Sequence, residues 1–169
     1  DLLRATNRQS SGTGNDLLLD ALRRLAGTRV ETNIQQGGNT HTSNFGLIDG
    51  FDVVSKTDNG RIQQLQITLS NWVFDAIDNN HVLTLSPAYF QLRKPIERRL
   101  YELARKHCGS QPKWEISLAK LKTKTGSQSN DREFKRMLSK VITDNLAHEH
   151  MPDYTFELSE HKLVVRPIR

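Results

Sequence analysis

The chain has 169 residues, enough for one large or two small domains with a real core, and 36% of them are hydrophobic. With a mean hydropathy of −0.61, it contains no run approaching the ~18 apolar residues that a membrane helix needs. The formal net charge of +5 is unevenly shared: residues 1–90 hold seven Lys+Arg against nine Asp+Glu, and residues 91–169 hold seventeen against ten.

A basic half joined to a slightly acidic one fits a polyanion-binding module beside a partner domain. A membrane surface would instead require Trp, Phe and Leu opposite a basic helix face, and the basic helices here carry ordinary core faces. The single cysteine, Cys108, excludes an internal disulfide. Together with the lack of a charged-then-apolar leader, it sets the expectation of a reducing compartment, the cytoplasm.

In chain order, Asp1–Asn7 reads as a scrap of helix without a cap, and Gln9–Gly14 as a Ser/Gly turn. Asn15 is expected to cap a helix through Leu25, with Leu18, Leu22 and Leu25 on one side and Gly27 ending it. β-type runs follow at Thr28–Ile34, Phe45–Val54 and Arg61–Leu69. The stretch from Gln36 to Thr42 reads as a long flexible hairpin tip, and Asp58-Asn59-Gly60 as a tight turn. Ser70 can cap a short helix whose Trp72 and Phe74 are expected in the core, with Ile77 also available for burial. His81–Leu85 reads as a strand, and Ser86-Pro87 starts another helical turn. Short helix, polar turn, longer helix and strands lead to the expectation that residues 1–90 form a winged-helix-like domain, incomplete at its N-terminus, with dimerisation or auxiliary DNA contacts as its expected roles.

Residues 91–169 are expected to form a second, complete domain. A Pro-started helix spans Pro95–Cys108, with Ile96, Leu100, Leu103, Ala104 and His107 on one face, and Trp114 and Ile116 make a small strand. Ser117 can cap a helix with Leu118 and Leu121 inward, and Gly126 can leave it through positive φ. A longer helix restarts at Ser129 or Asn130, with Phe134, Met137, Leu138, Val141, Ile142 and Asn145 at 3.6-residue spacing. Arg132, Lys135, Arg136, Ser139, Lys140 and Thr143 fall on its other side. Tyr154, Phe156 and Leu158 alternate with polar residues, and Leu163–Val165 follow a polar turn, which predicts a hairpin with Glu160, His161 and Lys162 at its tip.

Helix, strand, helix, helix, hairpin is the order of a winged helix, so the fold class is α+β with two tandem winged-helix domains. The residues expected to read bases are Ser127, Gln128, Asn130, Arg132, Lys135, Arg136 and Ser139, because Arg and Lys match guanine edges while Asn and Gln match adenine. Lys120, Lys122, Lys124, Lys140 and Lys162 are the expected phosphate anchors. A solvated amphipathic helix and a hairpin that merely caps the domain remain the plain alternatives.

Catalytic patterns are weak. His148-Glu149-His150 with Tyr154 has the composition of a metal-and-tyrosine strand-cutting site, but the pair lies in a polar helix-to-strand connection where an apolar strand would be needed to aim both imidazoles at one metal. His107-Cys108 lacks a second pair of ligands. Gln36-Gly37-Gly38-Asn39 lacks the Lys-Ser/Thr of a nucleotide-binding loop. The expectation is therefore a binding protein with no catalytic residue, metal or cofactor.

The block Leu83-Thr-Leu-Ser-Pro-Ala-Tyr-Phe-Gln-Leu-Arg-Lys-Pro-Ile-Glu-Arg-Arg-Leu-Tyr-Glu-Leu-Ala-Arg-Lys-His-Cys-Gly resembles the replication initiator protein A family of broad-host-range plasmids. Ala21–Ile34, Ile67–Trp72, Trp114–Leu118, Arg132–Lys135 and Pro152–Tyr154 support the resemblance. It implies tandem winged helices that bind directly repeated origin sequences in double-stranded DNA, help to open the adjacent duplex and bring in the host replicative helicase, with self-association as a further partner. The chain begins inside the first module, which suggests a fragment. A winged-helix transcriptional regulator stays open as the second reading, separated by its target: an inverted repeat over a promoter instead of direct repeats beside an A·T-rich region.

Overall fold

The computed structural model describes residues 2–7, 11–36, 38–55 and 62–168. The chain is an α+β protein in two compact units that divide between Val82 and Leu83.

In the first unit, helices α1 (Leu2–Ala5) and α2 (Gly12–Gly27) precede strands β1 (Arg29–Gln36), β2 (Asn39–Gly46), β3 (Ile48–Ser55) and β4 (Ile62–Leu69), and α3 (Asn71–Asp78) follows. Helix α2 starts ahead of the expected Asn15, because the extended Ser11 accepts the Gly14 N–H at 3.1 Å and so acts as N-cap. The expected flexible tip is largely strand. β1 and β2 pair antiparallel from Arg29↔Gly46 to Gln36↔Asn39, and Gly38 precedes β2 at φ 79°. Cross-strand polar contacts run along this ladder, Thr42 Oγ1 to Asn33 Oδ1 at 3.0 Å and Arg29 Nε to Asn44 Oδ1 at 2.9 Å, so no apolar alternation announced it. β3 and β4 form a second hairpin, and its expected Asp58-Asn59-Gly60 turn lies outside the described residues.

Two further expectations fail in this half. Trp72, Phe74 and Ile77 are 47%, 60% and 47% exposed, because α3 turns Val73 and Ala76 inward. Trp72 instead stacks on Phe45, ring centroids 4.0 Å apart. His81–Leu85 is no strand either: Asn80 at φ 56° bends the chain, and the Thr84 carbonyl accepts from Arg105 Nε at 2.9 Å in place of a ladder partner.

The second unit begins before the expected boundary near residue 90, because its lead-in belongs to its core. The buried Tyr101 hydroxyl accepts the Ser86 N–H at 2.9 Å. A short 3-10 helix, Pro87–Gln91, then delivers Leu92 into the core with Tyr89 packed against it. Helix α4 (Pro95–His107), strand β5 (Trp114–Ser117), helices α5 (Leu118–Thr125) and α6 (Asp131–His148), and strands β6 (Tyr154–Leu158) and β7 (Lys162–Pro167) follow. The sheet is antiparallel in the order β5-β7-β6, with Ile116↔Leu163 and Phe156↔Val165 in register. Phe134, Leu138, Val141 and Ile142 of α6 lie in one core with Leu100, Leu103 and Ala104 of α4, Leu121 of α5, and Ile116, Phe156, Leu163 and Val165 of the sheet. Burying each large side chain contributes about 1.5–3 kcal/mol, so α6 is fixed by its apolar face and its opposite face is left to solvent.

Candidate nucleic-acid interface

Three local devices build one front from α5, α6 and the β6–β7 hairpin. Ser117 caps α5 by accepting the Lys120 N–H, and Gly126 ends it at φ 72°, a conformation that a side chain would strain. Asn130 caps α6, its Oδ1 accepting the Glu133 N–H at 2.9 Å. The hairpin turn closes on Ser159, whose N–H and hydroxyl both donate to the Lys162 carbonyl. Its tip is tied down twice: the Leu118 N–H donates to the His161 carbonyl at 3.0 Å, and Lys135 Nζ donates to the Glu160 carbonyl at 3.2 Å. Leu118, Ala119, Asp131, Arg132, Lys135 and Glu160 line a shallow groove between these elements. Ala119, Lys122, Thr123, Ser127 and Gln128 line another beside it.

The side chains expected to read bases divide by how they are engaged. Arg132, Gln128 and Ser139 are exposed, with no side-chain partner among the described residues. Asn130 uses its carbonyl oxygen as the cap, and Ser127 Oγ lies 2.9 Å from Ser129 Oγ. Lys135 is spent on the hairpin tip. Arg136 is clasped by Glu133, Nε to Oε2 at 2.9 Å and Nη2 to Oε1 at 2.7 Å. The arginine holds the Glu133 carboxyl below the usual range, and the carboxylate in turn raises Arg136.

Among the expected phosphate anchors, Lys120 and Lys124 have no side-chain partner among the described residues. Lys122 pairs with Asp131 at 2.7 Å, Lys140 with Asp144 at 3.6 Å and Lys162 with Glu115 at 2.6 Å. Exposed pairs of this kind contribute only about 0–1 kcal/mol, so a lysine can exchange its carboxylate for a phosphate at little cost.

The sequence reading missed two things. One is the setting of His107, next to Lys106 of α4, which is exposed and without a partner among the described residues. His107, stacked on Trp114 with ring centroids 5.0 Å apart, is pushed below the usual histidine range by burial first and then by Lys124 and Lys106. The other is the Glu133 clasp, for which the i, i+3 spacing was the available signal. The His148-Glu149-His150 segment closes α6: Glu149 stands at φ 46° and His150 Nε2 lies 3.2 Å from the buried Glu97 Oε1. Tyr154 is buried, its hydroxyl donating to the Gly109 carbonyl at 3.2 Å. No described helix is long and apolar enough to cross a membrane.

Two crystal structures of domains 2 and 3 of RctB share this fold, with TM-scores of 0.63 and 0.68. Both are 12% identical in sequence, and the match covers 98% of this chain and 72% and 71% of those chains. A protein of Wigglesworthia glossinidia brevipalpis named "Putative replication protein" is 39% identical over 167 residues, or 98% of this chain. This chain spans 59% of that relative's length. The model of the replication initiator protein A family matches residues 1–156, and the chain belongs to that family.

Proposed function

We propose that the second unit is a winged helix that binds double-stranded DNA at directly repeated origin sequences, and that the whole protein uses this grip to help open the origin. The observation that carries the reading is the front of α6. Its apolar face is locked in a core, and the exposed Arg132, beside a hairpin tip fastened to the same helix, stands unpaired among the described residues, as do Gln128 in the preceding turn and Ser139 further along α6. A solvated helix has no need of such a fastening, whereas a helix that enters the major groove needs its flanks held. Lys120 and Lys124 then meet phosphates on one flank and Lys162 on the other. No side chain is assigned a chemical step; the action is binding.

The first unit serves as the auxiliary module, for self-association or further DNA contacts, and recruitment of a helicase belongs to the complete protein. Membership of an initiator family favours direct repeats over the inverted repeat of a regulator. The test is fluorescence anisotropy of the chain on duplexes carrying the plasmid's direct repeats, on an inverted-repeat duplex and on scrambled duplexes, across a salt series. About five phosphate contacts give a log–log slope of about −4 to −5, and replacing Lys120 and Lys124 by Ala reduces its magnitude by about 2. Equal affinity for all three duplexes would reject the proposal.

A further inference from the structure

We infer that Glu133 and Arg136 act as one guanine-reading unit, in which Glu133 is the positioning residue that sets the base preference. The inference rests on α6 being the DNA reader and goes on to name the base it selects.

Arg136 projects nearly opposite the buried face formed by Phe134, Leu138, Val141 and Ile142, and among the α6 cations it points most directly outward. Among the described residues it is also the one arginine that meets both oxygens of a carboxylate. Arg24, Arg99 and Arg166 each meet a single oxygen. The two bonds to Glu133 occupy the Nε–Nη2 edge of the guanidinium. The Nη1–Nη2 edge, two nearly parallel N–H donors, has no partner among the described residues, and that edge matches the O6 and N7 acceptors of guanine.

Rigidity is what the carboxylate adds. An unpaired arginine, 69% exposed as this side chain is, would sample many rotamers and could grip any phosphate. Held in a fork, it has already lost that freedom and offers one geometry, so less is lost on binding and a poorly placed acceptor is refused. The negative charge of Glu133 also works against loose phosphate contacts, since a carboxylate on the reading face repels the backbone wherever the guanine is missing. Specificity thus rises while non-specific affinity falls, a combination that a pair serving only helix stability would not produce.

The experiment uses the full chain and a pool of randomised duplexes. Sequences selected by the parent define a target, and a panel with each base pair changed in turn gives the preference at every position for the parent, Glu133→Gln, Glu133→Ala, Arg136→Ala and the double Ala variant. Thermal melting by circular dichroism confirms that each is folded, as expected for one exposed and one half-buried position outside the core. Arg136→Ala should erase a guanine preference at one position and weaken binding to the selected duplex by about tenfold. Glu133→Ala should cut the preference at that same position by about fivefold or more while raising affinity for unselected duplexes, Glu133→Gln should fall between, and the double variant should match Arg136→Ala. If both Glu133 variants keep the parental preference within twofold, or Arg136→Ala weakens every duplex equally, the unit is overturned while α6 can still be the reader. If the parent selects no sequence at all, the DNA-reading assignment falls together with it.

Discussion

Replacing Tyr101 by Phe removes one oxygen from a side chain that is fully buried. That oxygen donates to Asp153 Oδ2 at 2.7 Å and accepts the Ser86 N–H at 2.9 Å, which joins the lead-in segment, α4 and the turn before β6. Burial comes first and the Asp153 carboxylate adds to it in raising the phenol's pKa, as expected for a hydroxyl kept neutral to donate. Phe keeps the ring, so no cavity term enters. A hydrogen bond to a charged group contributes about 1.5–3 kcal/mol and a neutral one about 0.5–1.5 kcal/mol. Asp153 is exposed and water can replace part of its bond, so the expected loss is about 2 kcal/mol, or about 10 °C in melting temperature for a unit of this size. The protein has two tryptophans, Trp72 in the first unit and Trp114 in the second, so urea unfolding followed by fluorescence in a Trp72→Phe background reports the second unit alone. A loss below about 0.5 kcal/mol would refute the reasoning, because solvent would then be replacing both bonds at no cost.

Leu138→Ala empties the centre of the α6 seat and should cost about 2–5 kcal/mol in the same assay, leaving the salt slope of DNA binding unchanged where the variant is folded. Glu115 is held down to about 2 by hydrogen bonds from Lys113 and Lys162. A carboxyl depressed in the folded state contributes stability that is present above its unfolded pKa and is lost as pH falls through the folded one. Glu115→Gln should therefore lower the urea midpoint at neutral pH, and the deficit should close between about pH 5 and about pH 2; a deficit independent of pH would contradict the assignment.

Legibility followed the strength of local chemistry. The apolar period of α6, the Ser117 and Asn130 caps and the αL glycine at 126 were all readable, because each rests on residues within a few positions of one another. The β6–β7 hairpin announced itself by alternation. β2 did not, since its ladder is lined by Asn, Thr and Arg contacts instead of apolar pairs. The exposure of Trp72 and Phe74 was misjudged because hydrophobicity alone does not say which face of a short helix has a partner. At the interface, residue types identified the basic face but not its engagements. Lys135 on the Glu160 carbonyl and Lys162 on Glu115 span 25 and 47 residues, and only the folded chain brings them together.

The central claim is that α6 reads sequence, and Arg132 tests it most directly because it is exposed, unpaired among the described residues and at the start of that helix. The measurement is the affinity of the parent and of Arg132→Ala for a direct-repeat duplex and for its scramble at one fixed salt concentration. The account predicts a loss of about 1–3 kcal/mol on the repeat, roughly 5- to 150-fold, and only a few-fold loss on the scramble. Equal losses on both duplexes, or a parent that does not distinguish them, would contradict it.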